Sequence, residues 1–134
     1  MNRSWIKYTP HQKYSAMSFW VHIPTDGKAY LRAAEFHPPW PKPVPGQGYP
    51  FYYVEIDGFT FEFATLDEMR VLIETFSKPL LPSNLQLTLK RGAKYGPSNH
   101  WLNRLPKQVT SWRYRKKAIR YLQLVLRNFE KETG

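Results

Sequence analysis

FYYVEIDGFTFEFATLDEMRVLIETF, Phe51–Phe76, is the stretch whose reading decides the fold. Tyr52, Val54 and Ile56 alternate with Tyr53 and Glu55, and after Asp57-Gly58 the alternation resumes with Phe59, Phe61 and Phe63. Period-two patterning predicts half-buried strands, because successive side chains leave a strand on opposite faces. Asp-Gly between two such runs predicts a two-residue hairpin, since a type I′ turn needs positive φ at both central positions. That loop length fixes the register: Ile56 opposite Phe59, Val54 opposite Phe61 and Tyr52 opposite Phe63. These side chains share one face, and Tyr53, Glu55, Thr60 and Glu62 share the other. Thr65-Leu66-Asp67-Glu68 then reads as a capping box, Thr65 being the N-cap and Glu68 reaching back to it. Leu66, Met69, Leu72, Ile73 and Phe76 continue at helical spacing.

Working towards the N-terminus, HPPWPKPVPGQGYP at 37–50 carries six prolines, which exclude helix or central strand and predict an extended loop. Such a loop either joins two hairpins or presents Trp40 to an aromatic-lined groove of a partner. Before it, Phe19, Val21 and Ile23 alternate with Ser18, Trp20 and His22, predicting a strand over 17–23, a turn at Pro24–Gly27 and a second strand over 29–36. Residues 1–16 mix Trp5, Tyr8, His11 and Tyr14 with Arg3, Lys7 and Lys13 and show neither period, so they read as an irregular basic N-terminal arm, or equally as a disordered tail, preceding a single domain over 17–134.

Towards the C-terminus, Leu85, Leu87 and Leu89 alternate as a fifth strand, followed by a basic glycine-bearing loop over 90–97 and a short helix ending before Pro106. Gly92 and Gly96 would let backbone amides approach a phosphate, although the spacing matches neither a P-loop nor a dinucleotide fingerprint. SWRYRKKAIRYLQLVLRNFEK at 111–131 is a helix of about 30 Å. Trp112, Ala118, Ile119, Leu122, Val125, Leu126 and Phe129 fall on one side of it, and Arg113, Lys116, Lys117, Arg120 and Arg127 on the opposite side. The expected architecture is α+β: a mostly antiparallel sheet of about five strands, two hairpins plus one strand, with two main helices on one face.

The 134 residues suffice for one core, and 42% apolar with 16% aromatic content describes a globular chain. The absence of Cys excludes disulfides, thiolate nucleophiles and Cys-based zinc sites. No apolar run reaches the roughly 18 residues of a membrane span, so a cytoplasmic protein without a membrane partner is expected. The net charge of +10 is uneven. Residues 78–134 hold thirteen bases against two acids, whereas residues 51–77 hold one base against six acids. Solvated helix faces usually mix signs, yet no acid lies between Arg113 and Asn128.

That excess points to a nucleic-acid partner, single-stranded or structured, contacted by Lys90, Arg91, Lys94, Tyr95, Trp101, Arg104, Arg113, Lys116, Lys117, Arg120 and Arg127. Trp112 and Tyr114 also stand among the cations. The alternative is a module that binds an acidic protein surface and inhibits or bridges a larger nucleoprotein assembly, as small phage and mobile-element proteins do. Trp40, Tyr121 and Leu124 would be its contacts. No signature of an RNA-recognition motif, KH domain or helix-turn-helix is present. No cofactor is implied, and catalysis has little to stand on. Glu35 and His37 share one side of a predicted strand but fall short of a three-ligand metal set, and Glu55 and Glu62 lie on the solvent side of the hairpin.

Overall fold

The computed structural model describes residues 2–81 and 101–133. The fold is α+β. In chain order, β1 spans Arg3–Thr9, α1 Ser18–Val21, β2 Ile23–Pro24, β3 Phe36–His37, β4 Tyr49–Ile56, β5 Phe59–Phe63, α2 Leu66–Phe76, α3 Lys107–Thr110 and α4 Trp112–Thr133, with single 3₁₀ turns at Tyr30–Arg32 and Trp101–Arg104. A three-stranded antiparallel sheet has the order β1-β4-β5, and β2 pairs with β3 in a separate two-stranded ribbon.

The hairpin has the register its turn demands, with Ile56, Val54 and Tyr52 facing Phe59, Phe61 and Phe63. Asp57 at φ 49° and Gly58 at φ 86° supply the two positive angles. Tyr52, Val54, Ile56, Phe61 and Phe63 are buried beneath Met69, Leu72 and Phe76 of α2 and Ala118, Leu122, Val125 and Phe129 of α4. Thr65 caps α2, its hydroxyl accepting the Glu68 N–H at 3.2 Å. Glu68, however, does not reach back to Thr65: its carboxylate accepts the N–H of Ala64 one residue earlier, at 2.9 Å.

Three expectations are corrected. Residues 3–9 are not an irregular arm but β1, paired antiparallel to β4 from Arg3↔Glu55 to Thr9↔Tyr49. Of the strand expected over 17–23 only Ile23 is extended, as the first residue of β2: the Val21 N–H bonds Met17 O and the His22 N–H bonds Ser18 O, both at 3.0 Å, closing one helical turn. This turn puts Met17 and Val21 together in the core and brings buried Ser18 and His22 to one side. Residues 29–36 are mostly loop, ending in the two residues of β3. Asp26 organises it by accepting from the N–H groups of Lys28, Ala34 and Glu35, which hold its carboxyl below the usual range, Ala34 contributing most. The strand expected at 85–89 and the loop expected at 90–97 lie outside the described residues.

Within the Pro-rich stretch, Val44 and Gly48 form an isolated bridge that closes a tight turn. Gly48, at φ 107°, lies so close to β1 that a Cβ there would sit 2.4 Å from Thr9 O.

Candidate functional site

Helix α4 is the strongest candidate surface, and its placement follows from its own amphipathicity. Ala118, Leu122, Val125 and Phe129 bury one arc. Arg113, Lys116, Lys117, Arg120, Arg127 and Lys131 are exposed on the opposite arc. Contacts at both ends hold the helix in place. The Tyr114 hydroxyl donates to Ile56 O at 2.9 Å, and Lys117 pairs with Asp57 at the hairpin turn. At the other end Arg70 of α2 reaches Glu130 at 2.7 Å, and Tyr52 Oη lies 2.9 Å from Thr133 Oγ1. Burial, aided by the charge of Asp57, pushes the Tyr114 phenol up to about 12. The hydrogen bond from Lys117 is the main cause that holds the Asp57 carboxyl below the usual range.

Among the described residues Arg113, Lys116, Arg120 and Arg127 have no ion pair. The row they form is about 21 Å long at 1.5 Å per residue. Leu124 is 49% exposed within it, while Tyr121 is half-buried against the core.

The remaining expected contact residues scatter. Arg104 is exposed, but Trp101 is a buried core residue. Trp112 is 38% exposed with the Arg115 guanidinium 4.9 Å from its ring centroid. Lys90, Arg91, Lys94 and Tyr95 lie outside the described residues. Trp40 is half-buried in a different cluster, stacked on His22 at 4.2 Å and edge-on to Tyr14 and Phe36.

Two functional-looking groups are structural, and neither was legible as such in the sequence. Arg115, on the apolar side of α4 and only 4% exposed, donates to four backbone carbonyls: Thr110 at 2.8 Å, Phe76 at 3.1 Å, Lys78 at 2.5 Å and Pro79 at 3.2 Å. Three of these carbonyls lie at or just beyond the C-terminus of α2, where backbone acceptors have no intrahelical donors. Burial lowers the affinity of this guanidinium for its proton. Its position three residues before Ala118 and seven before Leu122 is the signal that a sequence reading can use.

The second group is a polar cluster. Glu68, fully buried, accepts from the Ser15 hydroxyl and the Ala64 N–H on one oxygen and from the Ser18 hydroxyl, at 2.7 Å, on the other. His22, also fully buried, lies 2.7 Å from Pro38 O through Nδ1, 2.9 Å from Thr65 Oγ1 through Nε2 and 3.5 Å from Glu68 Oε2. A carbonyl can only accept, so Nδ1 carries a proton, and Nε2 meets the Thr65 hydroxyl, which itself accepts the Glu68 N–H. Serine, histidine and glutamate thus meet, but the serines donate to the carboxylate and not to the imidazole. With Ser18, His22 and Glu68 all within 1% of full burial, the arrangement ties α1 and the Pro-rich loop to the start of α2.

Glu35 and His37 are exposed, whereas His22 is fully buried. Among the described residues no three His, Asp or Glu side chains are placed to hold a metal ion, and no helix is long and apolar enough to cross a membrane. A pocket of about 210 Å³ beside β5 is lined chiefly by Met17, Phe59, Phe61, Leu72, Trp101 and Leu105, with Glu62 and Arg104 as its charged members. No family model matches the chain, and no curated protein or solved structure matches it.

Proposed function

We propose that this is a non-enzymatic nucleic-acid-binding protein whose principal contact is the outer row of α4, Arg113, Lys116, Arg120 and Arg127. The observation that carries this reading is the row itself: four exposed cations on a helix pinned at both ends, without an ion pair among the described residues. Like charges three or four residues apart on a helix repel one another, and a polyanion relieves that repulsion. The helix is already ordered by its contacts with β4 and α2, so little ordering entropy opposes binding.

Neutralising four phosphates gives a plot of log affinity against log salt with a slope of about −3.6 on duplex DNA and about −2.8 on a single strand. Fluorescence anisotropy at several salt concentrations measures it. Arg113→Glu with Arg120→Glu should flatten the slope and lower affinity for every sequence alike. Absence of binding at low salt overturns the reading.

Leu124 favours a second reading, docking on an acidic protein surface, because an apolar side chain 49% exposed among cations suits an interface core better than a phosphate backbone. Leu124→Ser separates the two. Unchanged nucleic-acid affinity is expected if the cations do the binding, whereas docking on an acidic protein would be lost.

A further inference from the structure

The face of the three-stranded sheet turned away from α2 and α4 carries an arrangement that the α4 reading does not use. Trp5 of β1 and Tyr53 of β4 are paired directly across the strands. Their rings stack with centroids 5.3 Å apart and planes within 5° of parallel. The Arg3 guanidinium lies 4.9 Å from the Trp5 centroid, and the Lys7 ammonium 5.6 Å from that of Tyr53. Lys13 stands over the same patch, 4.5 Å from the Phe51 centroid and 5.9 Å from that of Tyr53, donating to Tyr53 Oη at 3.3 Å. Phe51 is fully buried and forms the floor, while Trp5 and Tyr53 keep part of their surface open.

We infer that this face is a second nucleic-acid site, a stacking platform for the bases of a single strand, with Trp5 and Tyr53 receiving bases and Arg3, Lys7 and Lys13 receiving phosphates. A single strand needs two things from a protein: flat π surface of base size, and cations spaced along the path of its backbone. The two stacked rings supply the first. Arg3 and Lys7 supply the second, four residues apart on an extended strand and so separated by about 13 Å, with Lys13 beside them.

Charge favours the same path. Among the described residues Lys7 and Lys13 have no carboxylate partner. Of the two acids on this face, Glu55 is held by Arg3 at 2.5 Å, and exposed Glu62 stands opposite Tyr53 on β5, on the side away from β1. The cationic half is therefore β1 and the residues following it. At present the cations occupy the ring faces, and a base arriving there exchanges a flexible side chain for a stacked π system while that side chain moves to a phosphate. A duplex keeps its bases stacked inside and offers this face phosphates alone, so the platform discriminates in favour of single strands.

The inference rests on nucleic acid being the ligand but not on α4 being the surface that holds it. The test measures anisotropy of an oligodeoxythymidylate of about 20 nucleotides and of a duplex of the same length, using the full chain and the variants Trp5→Leu, Tyr53→Leu and the Arg113→Glu, Arg120→Glu pair. Each platform variant should lose between about fivefold and a hundredfold in affinity for the single strand, and less than twofold for the duplex. The α4 pair should lose affinity for both. Photo-cross-linking of the unaltered chain to an oligonucleotide carrying 5-iododeoxyuridine should modify Trp5 or Tyr53, a readout that does not depend on any variant folding. Binding of both nucleic acids with platform variants within twofold of the original, or cross-links confined to α4, would overturn the platform and leave the α4 reading standing. Failure to bind either nucleic acid at low salt would overturn both.

Discussion

Replacing Glu68 tests whether the buried polar cluster holds the fold together. In Glu68→Ala the Ala64 N–H, itself fully buried, loses its acceptor and cannot turn to find another. An orphaned buried donor costs about 1–3 kcal/mol. The Ser15 and Ser18 hydroxyls lose a charged acceptor, worth about 1.5–3 kcal/mol for each bond, but they can rotate towards one another across 3.4 Å and recover part of it. Removing a buried carboxylate returns some desolvation free energy, so the net loss should be about 3–4 kcal/mol. Glu68→Gln should cost less, because the amide nitrogen can take the position facing Ser18, whose oxygen can turn to accept, while the amide oxygen keeps the Ala64 N–H. About 1.5 kcal/mol is expected. Urea denaturation followed by tryptophan fluorescence measures both. With a slope of about 2 kcal/mol per molar, the midpoint should fall by nearly 2 M for Ala and by less than 1 M for Gln. A Glu68→Ala midpoint within 0.3 M of the original, at an unchanged slope of about 2 kcal/mol per molar, would refute the claim that this carboxylate ties α1 to α2.

Two further predictions concern α4. Arg115→Lys retains a charge but loses the guanidinium fork across four carbonyls, and should cost about 2 kcal/mol; Arg115→Ala should cost about 3, measured by the same urea titration. Tyr114 has a folded-state pKa raised from 10.0 to about 12, so the stability it contributes is complete below pH 10 and is lost as pH rises towards 12. Tyr114→Phe should therefore be about 1 kcal/mol less stable at neutral pH, for want of the bond to Ile56 O, and thermal melts of the two proteins should converge over that alkaline range.

Legibility in the sequence followed the length and cleanness of each pattern. The hairpin over 51–63 and the helices α2 and α4 could be read because their periods run for several turns and Asp57-Gly58 and Thr65 mark their ends. Strand β1 could not, because Trp5 sits on the open face and Ile6 on the core face, so apolar residues occupy both and the alternation disappears. Helix α1 is a single turn, too short for a period of 3.6 to be told from one of 2; what makes it a helix is the requirement that Ser18 and His22 meet Glu68 and Thr65 from distant sequence. The Trp5–Tyr53 stack was invisible for the same reason, since it exists only once β1 is paired. On α4 the cations were read in their correct arc, but sequence alone did not show that Asp57 would reach Lys117 or that Trp101 would be buried.

Formal charge misstates what this surface offers, and the acids of residues 51–77 show why. Their net −5 looks like an acidic island set against a basic chain. In the fold, Glu55 is engaged by Arg3, Asp57 by Lys117 and Asp67 by Arg70, and Glu68 is buried. Only Glu62 and Glu74 remain exposed and, among the described residues, without an ion pair, one on the sheet edge and one on α2. Two dispersed carboxylates do not make a repulsive surface at physiological salt, where charges are screened over about 8 Å. These acids therefore act as anchors. Asp57 holds the N-terminal half of α4 against the hairpin, and Glu55 holds Arg3 beside Trp5. Of the described cations of residues 78–134, Arg115 is taken up by carbonyls and Lys117 by Asp57, while Arg113, Lys116, Arg120 and Arg127 form an exposed row on one side of the molecule. The cations of β1 and Lys13 stand on the opposite side of the sheet. If both positive surfaces bind nucleic acid as proposed, charge reversal on one side should weaken binding without abolishing it.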